Sequence, residues 1–174
     1  MSRPKDTADV KAIASVFSTR SDIIDHVINA MSCRYGECDF ISDLLSFKFT
    51  DYYELEMGSP LRRRFISFEK LIRPESLPDI KLWTNELESS YVVQDRRAVN
   101  IDPGYISLAH LVLATGKAYT HRPYLRDGIY IDLTLIYQNR DFQSLPWTYP
   151  YYAEPRIREM MKRIRDRYLF QLNE

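Results

Sequence analysis

The stretch AIASVFSTRSDIIDHVINAMSCRYG, Ala12 to Gly36, decides the class of fold. Its first seven residues are short, apolar and partly β-branched between polar neighbours, the pattern of a buried strand. Thr19 or Ser21 can cap the element that follows, and Asp22 and Asp25 suit the positive end of a helix dipole. Ile23, Ile24, Val27, Ile28 and Met31 then recur at helical spacing, and Gly36 stands where a C-terminal glycine belongs. A strand handing over to an amphipathic helix makes this a mixed chain.

Working outward, Phe40–Phe49 (FISDLLSFKF) and Leu61–Ile72 (LRRRFISFEKLI) read as two further strands. On the second, Phe65, Ser67 and Glu69 lie opposite Ile66, Phe68 and Lys70. Between the two strands, Asp51–Pro60 reads as an acidic, tyrosine-rich loop. Pro74 and Pro78 open a helix carrying Leu77, Ile80, Trp83, Leu87 and Tyr91 inward. Residues 97–101 make a fourth strand, ending in the turn Asp102-Pro103-Gly104. The order β-α-β-β-α-β predicts an α+β fold, an antiparallel sheet backed by helices in the ferredoxin-like arrangement.

Beyond it, residues 107–115 (SLAHLVLAT) read as a short apolar helix closed by Gly116. Tyr119–Arg126 and Ile129–Tyr137 flank Asp127-Gly128, the pair that favours a tight hairpin turn. Phe142–Leu145 reads as a returning strand. The segment LPWTYPYY (Leu145–Tyr152) leads into a last helix, started by Pro155 and striped by Ile157, Met160, Met161, Ile164, Tyr168 and Leu172. No repeat or linker divides the 174 residues, so a single domain is expected, with residues 1–10 flexible.

The 24 basic and 24 acidic side chains cancel, so no global field draws the chain toward nucleic acid or anionic lipid. The two cysteines, Cys33 and Cys38, lack a zinc-like partner set and read as reduced packing residues. With no signal-like start and no apolar run near the length of a membrane span, a soluble cytoplasmic protein is expected.

The hairpin carries the sharpest chemical reading. With a two-residue loop, Leu125 faces Tyr130, Pro123 faces Asp132 and His121 faces Thr134, so His121, Asp132 and Thr134 share one face. A histidine beside a carboxylate acts as an oriented base or a metal ligand; otherwise the set is a solvated polar sheet face. Asp102, at a strand end, is either a catalytic carboxylate or ordinary turn chemistry. Asp51, Glu54 and Glu56 form an acidic cluster suited to a divalent metal such as magnesium, or to solvent alone. Arg62–Arg64 and the last helix (Arg156, Arg158, Lys162, Arg163, Arg165, Arg167) are basic. Glu159 and Asp166 interrupt that helix and no RNP-type aromatic pattern accompanies it, which weighs against nucleic acid.

The runs FTDYYELEMG (Phe49–Gly58), SFEKLI, IKLWTNELE, NIDPGYI, LVLAT, HRPYL, TLIY and LPWTYP, in this order, closely resemble an uncharacterised prokaryotic family, domain of unknown function 4416. The likeness runs from about residue 11 to the last helix. It implies a shared fold and a set of motif residues: Asp51, Tyr52, Glu56, Asn100, Asp102, His121, Arg122 and Thr134. Some members of that family carry the description GTP-binding protein. This sequence has neither a Gly-rich phosphate loop nor, in TNEL (Thr84–Leu87) or NIDP (Asn100–Pro103), the N/T-K-x-D guanine-reading pattern.

Two functional readings follow. In the first the chain is a small-molecule or nucleotide-phosphate binding domain, in one version a metal-assisted enzyme. His121, Asp102 and Asp132 are then its catalytic groups; Arg122, Thr134, Tyr52 and Asn100 hold the ligand, and Asp51 and Glu56 hold the metal. Arg122 and His121 serve one pocket only if the strand bulges or twists at Pro123. In the second reading the chain is a non-catalytic adaptor, meeting a protein or RNA partner through LPWTYPYY and the basic last helix.

Overall fold

The computed structural model describes residues 3–47, 51–93 and 96–173, the side chains of Asp51, Tyr52 and Val93 excepted. Along the chain run β1 (Lys11–Ser18), α1 (Ser21–Tyr35), β2 (Cys38–Ile41), β3 (Leu45–Phe47), α2 (Asp51–Met57) and β4 (Leu61–Phe68). Then come α3 (Leu77–Ser89), β5 (Val92–Val93), β6 (Arg96–Arg97), β7 (Val99–Ile106), β8 (His110–Thr115), β9 (Tyr124–Arg126), β10 (Ile129–Gln138), β11 (Asp141–Ser144), α4 (Pro150–Ala153) and α5 (Pro155–Gln171). Nine strands form one sheet in the order β11-β10-β8-β7-β1-β4-β2, with β3 also on β4 and β9 on β10. Its ladders are all antiparallel. The mixed class and the antiparallel sheet are those the sequence predicts.

Every residue of β1 is buried, because helices cover both faces of the sheet. Ala12, Ala14 and Val16 pack with Ile66, Phe68, Val99 and Ile101 against the apolar stripe of α1. Ile13 and Phe17, on the other face, join Phe47, Phe65, Tyr151 and Tyr152 beneath Ile157, Met161 and Ile164 of α5. Each such side chain contributes roughly 2 kcal/mol by leaving water. Lys11 is buried at the start of β1; its Nζ donates to Asp39 and, at 2.6 Å, to Gln171 Oε1. Tyr168 Oη donates to the Asp9 carbonyl at 2.6 Å. No helix among the described residues is long and apolar enough to cross a membrane.

Several local expectations are corrected. The helix predicted over 107–115 does not form: His110–Thr115 is strand β8, because β7 and β10 both offer it an edge. The acidic segment after residue 50 is the helix α2, in which Glu54 and Glu56, two apart, do not face each other. Where the sequence predicts one strand over 40–49, the described part to Phe47 belongs to two short strands, β2 and β3, broken at Ser42–Leu44, and residues 48 and 49 lie outside the described residues. Asp102-Pro103-Gly104 is no turn but the interior of β7. Gly104 is there because β7 and β8 approach closely: a Cβ on it would lie 2.1 Å from the Val112 carbonyl oxygen.

The hairpin at Asp127-Gly128 forms, yet its register slips between Ile129 and Tyr130, so Tyr130 pairs with Tyr124 rather than with Leu125. A second slip between Leu133 and Leu135 leaves Thr134 bulged and turns Leu135 onto the α5 face, away from Ile131 and Leu133.

Candidate functional site

The ladder between β7 and β8 stops at Gly104–Leu113, and beyond that point the two strands part. Ile101 therefore lacks a strand partner on that edge. Helix α3 supplies substitutes: Lys81 Nζ donates to the Ile101 carbonyl at 2.9 Å, and Glu88 Oε1 accepts from the Ile101 N–H at 2.7 Å. Two residues on, along the same edge, Pro103 has no N–H with which to extend the ladder. The gap is a cleft of about 490 Å³.

Asn100 and Asp102 of β7 line it, with Arg63 of β4, Asp132 and Thr134 of β10, Arg122, and the rings of Tyr53, Trp147, Tyr149 and Tyr152. Five of the predicted site residues thus meet in one cavity: Asp102, Asn100, Arg122, Asp132 and Thr134. Arg122 enters it from the segment before β9, with Nε 2.7 Å from Asp132 Oδ2; the register slip lies at Ile129 and Tyr130 rather than at Pro123, and His121 does not line the cleft with it. His121 stands behind Asp132, with Nε2 3.4 Å from the same oxygen, near enough for an ion pair when protonated but not hydrogen-bonded. It does not pair with Thr134 across the sheet; Thr134 Oγ1 donates instead to Asp132 Oδ1 at 3.3 Å. Glu56 is committed to Arg97 at 2.8 Å. The side chains of Asp51 and Tyr52 lie outside the described residues. No group of three or more His, Cys, Asp or Glu side chains is placed to hold a metal among the described residues.

Most of the charges in the wall are spoken for. Arg97 joins Glu56, Glu88 at 3.3 Å and the Asn100 side-chain oxygen at 2.9 Å. Burial opposes its charge, but the hydrogen bonds and charges of the two glutamates outweigh this and hold its pKa above the ordinary arginine value. Burial pushes the Glu88 carboxyl up, against the pull of Lys81. Burial, with the negative charge of Asp102, pushes the Tyr53 hydroxyl up to about 12.

Arg63 is one exception. It is 2% exposed, and its guanidinium lies 3.8 Å from the ring centre of Phe47, 4.6 Å from Tyr151 and 4.8 Å from Phe17. Its Nε and Nη1 find no hydrogen-bond partner, and no carboxylate pairs with it among the described residues. The Asn100 side-chain nitrogen, also buried, is likewise unpartnered. Asp102 lines the same cleft with no hydrogen bond or ion pair on its carboxylate among the described residues.

Arg63, Lys81 and Glu88 escaped the sequence reading, although a signal existed. Strand alternation puts Arg63 on the face of Phe65 and Ser67, and helical spacing puts Lys81, Thr84 and Glu88 beside Leu77 and Ile80. The LPWTYPYY segment folds down as well. Trp147 Nε1 donates to the Leu133 carbonyl at 2.8 Å, Thr148 Oγ1 donates to that of Thr134 at 2.6 Å, and Tyr151 and Tyr152 are buried.

Fold and cleft together define an α+β protein whose nine-stranded antiparallel sheet splits open around a charged cavity. The chain belongs to the family described as Domain of unknown function (DUF4416), whose model matches residues 8–168. No curated protein and no solved structure matches it significantly.

Proposed function

We propose that the cleft binds a small organic anion of the phosphate or nucleotide-phosphate kind. The observation that carries this reading is Arg63. A buried, unpaired guanidinium is costly, several kcal/mol after relaxation, and an anionic ligand is the natural way to complete it. The unpartnered buried side-chain atoms of Arg63 and Asn100 are all donors, which asks for an acceptor. Asp102, unengaged beside them, is the group to hold a proton or, together with ligand oxygens, a divalent metal. On this reading Arg122 and Thr134 keep Asp132 in place, with His121 behind it as a reserve proton acceptor.

The strand order β7-β1-β4-β2, with α1 and α3 between the corresponding strands of the chain, supports calling the N-terminal part a ferredoxin-like core. The adaptor reading has less behind it. Arg158 donates to the Phe142 carbonyl at 2.9 Å, Arg165 to that of Leu108 at 2.9 Å, and Arg167 to that of Asp39, so much of the basic helix is used within the fold.

Thermal unfolding in the presence of nucleotides, sugar phosphates and divalent metals tests the proposal. A ligand at 100 times its dissociation constant stabilises the native state by about 2.7 kcal/mol. The expected result is a shift with phosphate-bearing compounds that disappears in Arg63→Met and in Asn100→Leu. No shift with any anion would sink the reading.

A further inference from the structure

We infer that the anion carries a planar ring and that Trp147 is the surface on which the ring stacks; this rests on the anion-binding reading above. The cleft, at about 490 Å³, is sized for an organic molecule rather than a bare phosphate. The ligand therefore has a body beyond the group that meets Arg63, and the wall it meets contains Trp147, which is held unusually firmly for an exposed side chain. Its one polar atom is already used on the Leu133 carbonyl, at 2.8 Å. One face stacks on His121, with centroids 5.1 Å apart and planes 14° from parallel, and Tyr119 backs His121 edge-on at 5.2 Å. The next residue is pinned on both sides, since Thr148 Oγ1 donates to the Thr134 carbonyl and accepts from the Leu145 N–H at 2.7 Å.

Trp147 nonetheless remains 40% exposed, and it lines the cleft. A rigid indole with its N–H satisfied offers apolar area at little conformational cost, and a flat π surface is its complement. Stacking of a ring on such a platform tolerates many ring types, so Trp147 selects for a ring without selecting which one.

The test uses the intrinsic fluorescence of the protein. The chain has two tryptophans, and Trp83, which packs in the α1 layer, can be removed as Trp83→Phe to leave Trp147 as the only reporter. That protein is titrated with inorganic phosphate, ribose 5-phosphate, phenyl phosphate and adenosine 5′-monophosphate; quenching is read from its emission, and affinities, in it and in the Trp147 variants, from isothermal titration calorimetry. The expected outcome is that the two compounds with an aromatic ring quench Trp147. The nucleotide should also bind about tenfold more tightly than ribose 5-phosphate. Trp147→Leu should abolish this preference while ribose 5-phosphate affinity stays within about twofold, and Trp147→Phe, which keeps a ring in place, should retain part of it. Equal affinity for phosphates with and without an aromatic ring, or binding without quenching, overturns the proposal and leaves the anion site standing. If none of the four compounds binds, the anion-binding reading itself falls, and this inference falls with it.

Discussion

Lys81 and Glu88, two turns apart on α3, grip the two ends of one residue: Lys81 holds the Ile101 carbonyl and Glu88 the Ile101 N–H. They do for β7 what a neighbouring strand would otherwise do, and in doing so they hold the sheet open. Glu88→Ala would leave the Ile101 N–H buried and unsatisfied and strip a partner from Arg97. The expected loss is about 3 kcal/mol by chemical denaturation, with Glu88→Gln losing less than half of that because an acceptor remains.

The same carboxyl makes stability depend on pH. Burial raises its folded-state pKa above the unfolded one, so between the two values the native state binds more protons than the unfolded chain. The contribution is fully present below the ordinary glutamate range and is lost as pH rises through the raised value. In a wild-type titration of unfolding free energy, stability should decline across that window. In Glu88→Gln the decline should be absent.

Arg63 predicts opposite changes in stability and binding. Its ring contacts contribute about 0.5–2 kcal/mol each, whereas burying the charge without a counter-ion costs several kcal/mol. Arg63→Met should raise the stability of the ligand-free protein by about 1–2 kcal/mol while anion binding disappears. Thermal unfolding with and without phosphate compounds reads both effects. A large destabilisation of the ligand-free variant would mean the guanidinium is a structural strut.

Gly104→Ala forces a methyl group into the Val112 carbonyl oxygen. The strands must separate or the backbone must shift, and a loss of about 3 kcal/mol or more is expected, visible in the denaturation midpoint. A neutral result would mean that β7 and β8 do not approach as closely as described.

Thr148→Val removes a hydroxyl that bonds on both sides. The expected cost is about 1–2 kcal/mol. Trp147 emission should shift to the red as the segment loosens.

The elements that were legible in the sequence are those whose side chains alternate or recur cleanly. α1 and α5 were plain because their apolar residues face one layer each, β1 because a short run apolar on both faces suits a buried central strand, and the hairpin because Asp127-Gly128 suits its turn. β8 was not, because a short apolar run such as LVLAT suits a buried strand or a helix alike, and only the edges of β7 and β10 decide between them. The cleft was half legible. Asp102, Asp132 and Thr134 stand out as polar residues on predicted strands or at their ends, whereas Asn100 and Arg122 come only with the family resemblance. Their grouping with Arg63 and α3 depends on where the β7–β8 ladder stops, and that follows from Pro103 and from long-range pairing, which local pattern does not encode.

The tie between Lys11 and Gln171 has a consequence for how the chain acquires its structure. These residues are 160 positions apart, and the Tyr168–Asp9 bond spans 159. Until α5 has been synthesised, the Lys11 end of the central strand lacks Gln171, and the aromatic layer beneath it stands open to water. Contacts of such separation close late and slowly. A growing chain that has completed every strand of the sheet would still be waiting for its cover, and during that interval a holdase-type chaperone would find its surface.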